Sequence, residues 1–352
     1  MTTPTLSVRN LRVEIPTRRG VLTAIDDLSF DIAPGEVLGM VGESGAGKSI
    51  TGSAIIGLLE PPGRVAGGEI RLAGERIDNV SPDQMRRIRG RRIGMIFQDP
   101  LTSLNPLYRI GDQLVETILT HERLSQKAAR TKAVKLLEEV GIPAAEARFS
   151  AYPHQFSGGM RQRVVIALAL CADPELVIAD EPTTALDVSV QAQIIALLKR
   201  LCADRGASVM LITHDMGVIA ETADRVCVLY AGRLAEIGPV RAVVKHPQHP
   251  YTQGLMAAIP SLVGDPDATL AQIPGSMPRL GAIPAGCAFN PRCNFAFEAC
   301  SAARPEVYDA GTSDASCFLH ASEVAPSAPA ETLRAADQAG IVLPVSAKET
   351  IA

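Results

Sequence analysis

Tryptophan is absent from the 352 residues, and aromatic side chains together make up only 4%. Single-stranded nucleic acid is held largely by bases stacking on aromatic platforms, so that class of partner finds little here. A surplus of positive charge is missing too. Thirty-four Lys and Arg stand against 38 Asp and Glu, a formal net charge of −4. Such a balance exerts no long-range pull on a polyanion, and no nucleic-acid partner is expected. The one local exception, Arg86 to Arg92 (R-R-I-R-G-R-R), reads as a solvated or partner-facing surface.

Long apolar runs are also lacking. The longest, Val164 to Ala172, falls far short of the ~20 residues that span a bilayer. The start, M-T-T-P-T-L-S-V, has neither a basic nor an apolar leader segment. The expectation is a cytoplasmic protein whose membrane role, if any, comes through a separate subunit. Hydrophobic residues still reach 47%, enough for a sizeable core.

Cysteines number seven, with no tight C-x2-C pair. Cys171, Cys202 and Cys227 sit in apolar surroundings and read as small core residues. Cys287, Cys293, Cys300 and Cys317 crowd into one segment as C-x5-C-x6-C-x16-C. In a reducing compartment such crowding favours a metal over disulfides. Four thiolates without interleaved His suit Zn²⁺ or an iron–sulfur cluster. His320 is a spare candidate ligand that reads better as a surface residue.

Residues 6–41 alternate short apolar runs with turns and read as strands, the last being Val37 to Val41. Ser49 opens a helical pattern, and strand-like I-R-L-A and R-I-G-M-I-F follow. Residues 111–150 switch to a 3.6-residue period, which marks a helical subdomain (about 101–164) inserted into an α/β core. The core resumes with L-V-I-A-D, a helix over Val190 to Ala203, and strands from Ser208 and Val226. From about Lys245 the periodicity fades and Pro, Gly and Cys rise. Residues 5–244 are therefore read as one nucleotide-binding domain, 245–320 as an extension and 321–352 as a flexible tail.

Gly42 to Ser49, G-E-S-G-A-G-K-S, matches G-x4-G-K-[ST] between a strand and a helix. Its glycines allow the backbone N–H groups of Gly42, Glu43, Ser44, Gly45, Ala46, Gly47, Lys48, Ser49 and Ile50 to approach phosphates. The helix start adds a positive dipole end. Lys48 is suited to the β- and γ-phosphates, Ser49 to Mg²⁺. The buried-type strand Leu176 to Ala179 ends in Asp180, which places a carboxylate on the Mg²⁺ side. Glu181, next in line, is placed to polarise an attacking water.

Three further segments would each pass for structural features alone: Gln98 in F-Q-D-P, Ser157 to Gln162 as S-G-G-M-R-Q, and His214 in L-I-T-H-D. In this order, behind that loop and strand, the set resembles the ATP-binding cassette of ABC transporters. The resemblance implies a P-loop (RecA-like) α/β core with an antiparallel β subdomain, the helical insertion and a Cys-rich extension. It implies that Ser157, Gly158 and Gly159 face the γ-phosphate of an opposing cassette, although Phe156 and Met160 stand where the family has Leu and Gln. It also gives Gln98 a place at Mg²⁺ or water, Ala185-Leu186-Asp187 a contact with the partner cassette, and His214 one with the γ-phosphate. The segment D-P-L-T-S-L-N-P would receive a coupling helix of the permease.

The aromatic residue on which many cassettes stack adenine is missing from residues 16–26, leaving Ile25, Val21 or the stems of Arg18 and Arg19. H-P-Y-T-Q-G-L (His249 to Leu255), I-P-G-S-M-P and G-C-A-F-N-P-R-C resemble the extension of ATPases serving oligopeptide, dipeptide and nickel importers. Dipeptide-importer members carry a [4Fe–4S] cluster at such cysteines, with Zn²⁺ or no metal as alternatives. The implied activity is ATP hydrolysis driving peptide import. The implied partners are a second, paralogous cassette, two membrane permease subunits and, indirectly, an extracellular peptide-binding protein, at the cytoplasmic face of the membrane. A soluble ABC ATPase and a metal-sensing protein with a dead cassette are the competing readings. The first lacks an H-P-Y-T extension, and the second is opposed by the full set of Lys48, Asp180, Glu181 and His214.

Overall fold

The computed structural model describes residues 2–184, 186–259 and 272–351. The chain opens with a hairpin of β1 (Leu6–Thr17) and β2 (Gly20–Ile32), then runs through β3 (Val37–Val41) into helix α1 (Lys48–Ile55). β4 (Arg64–Leu72), β5 (Glu75–Arg76), α2 (Pro82–Ile88) and β6 (Ile93–Ile96) follow. β1, β2, β4 and β5 form a four-stranded antiparallel sheet in the order β2-β1-β4-β5. Its inner face carries Leu6, Val8, Ile25, Leu28, Ile32, Ile70 and Leu72, all buried, while charged residues alternate outward.

The helical subdomain comprises α3 (Pro100–Ser103), α4 (Ile110–His121), α5 (Gln126–Glu139), α6 (Ala145–Arg148) and α7 (Gly158–Leu170). α4 and α5 bury Ile110, Leu114 and Ile118 against Ala129, Ala133 and Leu137 at helical spacing. The expected insertion is therefore present, and α7 carries it back to the core sheet.

The second sheet has eight strands: β7 (Leu176–Asp180), β8 (Ser208–Ile212), β9 (Arg225–Tyr230), β10 (Arg233–Pro239), β11 (Tyr308–Asp309) and β12 (Asp314–Ala315), with β3 and β6. Helices α8 (Val188–Arg205), α9 (Met216–Thr222) and α10 (Val240–Lys245) connect or follow them. The order is β11-β12-β10-β9-β3-β8-β7-β6, parallel from β9 to β6 and antiparallel beyond. β3, β7 and β8 are buried at every position, as strands covered on both faces must be. The ends of β3, β7 and β8 deliver the functional loops to one edge, where open parallel sheets place their ligands.

The extension is not a separate body. Its β12 pairs with β10 (Glu236 with Ala315, Ile237 with Asp314), so the core sheet continues into it. Helices α11 (Pro250–Ala257) and α12 (Glu298–Ala302) belong to it. The Glu236 carboxylate, wholly buried, pins the join by accepting from Gln248 N–H and His249 N–H at 2.9 Å and from Ser313 Oγ at 2.7 Å. Residues 321–351, expected to be flexible, instead form α13 (Ala330–Gln338) and α14 (Val345–Ile351). They bury Leu333, Ala336, Ile341, Leu343 and Ala347 against Phe318 and Leu319. Apolar residues two to five positions apart in a polar, Ala-rich segment suffice to dock it, and composition alone hides them.

The arginine-rich stretch is less solvated than expected. Arg89 donates to the carbonyls of Ile56 and Gly57, Arg91 to that of Ala172, and Arg92 joins Glu75 and Glu175.

Candidate active site

β3 ends at Val41 and the chain turns at once. Gly42 has φ 147°, and a Cβ there would stand 2.3 Å from the Leu229 carbonyl oxygen. Gly47 has φ 103° and lies over Ile25, whose Cδ1 would be 2.6 Å from a Cβ. Only glycine fits both places, so the loop lies flat on the sheet edge with its backbone exposed to a ligand. Lys48 Nζ folds back to donate to the carbonyls of Gly42 at 2.7 Å and Glu43 at 3.1 Å. Burial pushes the Lys48 ammonium below its ordinary pKa, opposed by the carboxylates of Glu181, Asp180 and Glu43. This is a lysine enclosed by anions at the mouth of a phosphate-sized loop.

Ser49 Oγ donates to Asp180 Oδ1 at 3.0 Å. The two residues are 131 positions apart in the sequence, and they meet because β7 runs parallel to β6 and β8 and ends beside α1. Burial raises the Asp180 pKa, the Ser49 hydrogen bond opposing it and Glu181 adding to it. A hydroxyl and a carboxylate in contact suit a hard divalent cation such as Mg²⁺.

Glu181 follows with φ 45°, a left-handed conformation unusual for a non-glycine residue, and its N–H donates to Ile212 O at 2.9 Å. That turn leads its carboxylate out of the sheet. One oxygen accepts from Gln98 Nε2 at 3.1 Å and Thr184 Oγ1 at 3.0 Å. The other lies 3.3 Å from His214 Nδ1. Gln98, Glu181 and His214, far apart in sequence, are thus in one cluster. Thr184, which sequence reasoning missed, completes it.

Ser157 caps α7, its Oγ accepting from Met160 N–H at 3.4 Å. Gly158 and Gly159 form the first turn and pack closely on Leu186 and Val190, at the start of α8. Among the described residues no hydrogen bond joins this segment to the 42–49 loop. Asp187 is exposed at the N-terminal end of α8. Ala185 lies outside the described residues. Ile25, a candidate for the adenine, is wholly buried beneath Gly47 and supports the loop instead. Val21, Arg18 and Arg19 are exposed on the β1–β2 turn.

Cys171, Cys202 and Cys227 are buried, and burial pushes each thiol up to about 12, as core residues require. Cys287, Cys293, Cys300 and Cys317 are free thiols that line one small cavity beside Phe289, Phe295 and Phe318. Burial raises all four, Cys293 to about 12. Among the described residues, however, no group of three or more His, Cys, Asp or Glu is arranged to hold a metal ion. His320 is buried rather than at the surface. Its Nδ1 meets Val342 O at 2.8 Å and its Nε2 meets Gln248 O at 3.1 Å, which leaves neither nitrogen for a metal.

A glycine-rich loop around an enclosed lysine, a hydroxyl–carboxylate pair suited to Mg²⁺ and a carboxylate beside a glutamine and a histidine define a nucleotide-hydrolysing cassette. The family profile described as "ABC transporter" matches residues 25–184, and that described as "Oligopeptide/dipeptide transporter, C-terminal region" matches residues 235–300. The oligopeptide transport ATP-binding protein OppD of Haemophilus influenzae is 49% identical over 300 residues, covering 85% of this chain and 92% of its own. A Brucella melitensis protein whose name gives it as a peptide import ATP-binding protein is 46% identical over 336 residues, covering 92% and 98%. A dimeric ATP-binding cassette in a post-hydrolysis state, bound to ADP and Pi, superposes with a TM-score of 0.60 at 28% identity, covering 67% of this chain and 99% of its own. The chain belongs to the family of ABC transporter ATP-binding subunits, in its oligopeptide/dipeptide branch, and its reaction is the hydrolysis of ATP. Among the described residues no helix is long and apolar enough to cross a membrane.

Proposed function

We propose that this subunit powers peptide import, with Glu181 as the residue that orients the attacking water. The observation that carries the assignment is the contact of Glu181 with Gln98, Thr184 and His214, one residue beyond the Ser49–Asp180 pair. The backbone of Gly42 to Ile50, apart from the Glu43 N–H that is donated to Tyr251 Oη, and the Lys48 ammonium hold the phosphates. Ser49, Asp180 and Gln98 would hold Mg²⁺, which would supply positive charge beside the phosphoryl group. His214 steadies the γ-phosphate end of the cluster.

Two cassettes close on two ATPs, with Ser157, Gly158, Gly159 and Asp187 of each facing the other. Val188, 82% exposed beside Asp187, supports a partner there. A paralogous second cassette is the expected one. The segment 97–108 exposes Phe97, Leu101, Leu107 and Tyr108, and a groove lined by Leu58, Phe97, Val165 and Leu168 runs beside it. An apolar patch next to Gln98 suits a coupling helix from one permease subunit, the second cassette serving the other, so closure of the cassettes is transmitted to the membrane. An extracellular peptide-binding protein would deliver the substrate, and the subunit sits at the cytoplasmic face of the membrane.

The four cysteines are proposed to seat a [4Fe–4S] cluster. Their sharing one apolar cavity supports this, and so does their all-thiol chemistry. No step of ATP hydrolysis is assigned to it. Anaerobic purification of wild type and Cys293→Ser, assayed for iron, zinc and sulfide, tests it: iron and sulfide lost together in the variant support the cluster, and zinc or no metal refutes it. The transport role is tested by reconstituting the chain with its co-purifying membrane subunits. ATP-dependent peptide uptake, abolished in Glu181→Gln, is the expected result. An ATPase that purifies without membrane subunits would favour a soluble role.

A further inference from the structure

Glu43 stands at one of the open positions of the phosphate-binding loop. It places a carboxylate, 27% exposed, beside backbone groups that face a polyanion. Two residues from the C-terminal extension hold it. Arg292 grips the carboxylate with both arms, Nη1 to Oε2 at 2.8 Å and Nη2 to Oε1 at 3.0 Å. Tyr251 Oη accepts the Glu43 N–H at 2.9 Å. The third hold comes from within the loop, where the Glu43 carbonyl accepts from Lys48 Nζ at 3.1 Å.

The two outer residues are themselves fixed. The Arg292 side chain is 7% exposed. Its remaining donors reach Pro274 O at 2.7 Å, Tyr230 Oη at 3.3 Å and Ile273 O at 3.4 Å. The Tyr251 ring is fully buried, edge-on to Tyr230 with centroids 4.7 Å apart and tilted against Phe289 at 5.4 Å. Tyr230 ends β9, the strand paired directly with β3, which runs into the loop. The extension therefore reaches the loop through an enclosed aromatic and guanidinium cluster, not through a surface contact.

We propose that Arg292 and Tyr251 are positioning residues for ATP binding: through Glu43 they cancel a negative charge beside the phosphates and hold the loop in its binding shape. A bidentate guanidinium neutralises the carboxylate and fixes its direction. The Tyr251 hydroxyl occupies the N–H of a residue whose carbonyl steadies Lys48. With both holds in place the loop is ordered before nucleotide arrives, and less ordering is left to oppose binding. On this reading the H-P-Y-T and N-P-R-C segments serve the nucleotide site and not only their own subdomain. The inference rests on assigning the 42–49 loop to ATP phosphates.

Calorimetric titration of the full-length chain with Mg-ADP tests it, with thermal melting followed in parallel. Arg292→Gln is expected to weaken binding roughly tenfold, the size of effect a lost close charge pair produces. Arg292→Lys should recover part of the loss, because it returns the charge without the bidentate grip. Glu43→Gln combined with Arg292→Gln should bind several-fold more tightly than Arg292→Gln alone, since the unpaired carboxylate is gone. Tyr251→Phe, which removes one oxygen, should weaken binding about threefold and serves if Arg292→Gln does not fold. A double variant no better than Arg292→Gln would reduce Arg292 to a structural clip and overturn the proposal. Wild-type affinity in folded Arg292→Gln or Tyr251→Phe would overturn it as well. Lys48→Ala is the control: if it binds Mg-ADP like wild type, the loop assignment fails, and not the coupling.

Discussion

Glu181 and His214 face one another at 3.3 Å across the ends of two neighbouring parallel strands, β7 and β8. The carboxylate is held on its other side by Gln98 and Thr184, so both its oxygens are occupied and its orientation is set. Replacing Glu181 by Gln keeps the volume and the acceptor oxygen but removes the charge that polarises water. Turnover should fall by about 10²–10⁴-fold, the usual worth of such a group, while Mg-ATP still binds. Phosphate release and nucleotide titration on the same preparation check this; turnover within tenfold of wild type would exclude Glu181 from the role.

The turn at Gly42 makes a second prediction. A methyl group there would meet the Leu229 carbonyl oxygen at 2.3 Å and Ala46 Cβ at 3.0 Å, on a backbone at φ 147°. Neither neighbour is the end of a flexible side chain, so the loop itself must move. Gly42→Ala should lose nucleotide binding more than tenfold while the rest of the fold survives with a loss of about 2–4 kcal/mol. Binding and melting measured together separate loop distortion from global unfolding.

The residues that touch nucleotide were legible because their spacing is chemical. G-x4-G-K-S between a strand and a helix, and an apolar strand ending in Asp-Glu, leave few alternatives. Gln98 and His214 were found only through their order along the chain, which stands in for the strand ends that gather them. Thr184, Arg292 and Tyr251 were not found. Thr184 carries no signal of its own beside Glu181. Arg292 precedes Cys293 and Tyr251 sits in H-P-Y-T, so both were seen, but their contacts with Glu43 span 249 and 208 residues. Local pattern cannot encode such a meeting. The same limit hid the strand β12, only two residues long, which ties the extension into the core sheet.

Glu236 yields a third prediction. Its buried carboxylate accepts three hydrogen bonds and is the anchor of the Gln248–His249 turn. Glu236→Gln puts an amide NH₂ where one or two donors now point, leaving donors face to face. A buried unsatisfied donor costs about 1–3 kcal/mol, so the melting temperature should drop by several degrees. Because the Tyr251 N–H donates to His249 Nδ1 at 3.0 Å, loosening this turn loosens the extension, and limited proteolysis should open it before the cassette. A variant that melts with wild type and resists proteolysis would show the anchor to be dispensable.

The docked tail gives the last prediction. Leu333, Ile341 and Leu343 are at most 3% exposed, and they cover Phe318 and Leu319, which lie between Cys317 and His320. Each such side chain is worth about 1.5–3 kcal/mol on burial, although ordering some thirty residues offsets much of that gain. The tail also supplies Val342, whose carbonyl meets His320 Nδ1 at 2.8 Å and whose N–H donates to Gln248 Oε1 at 2.7 Å. A chain ending at residue 320 loses both bonds and bares the apolar cluster next to the cysteine cavity. It should therefore melt lower, bind a hydrophobic dye that the full chain excludes, and react faster with a thiol reagent at Cys317, which is 9% exposed in the whole protein. An accessory tail would leave all three readings unchanged, since a segment that merely rests on a surface neither seals a cavity nor shields a thiol.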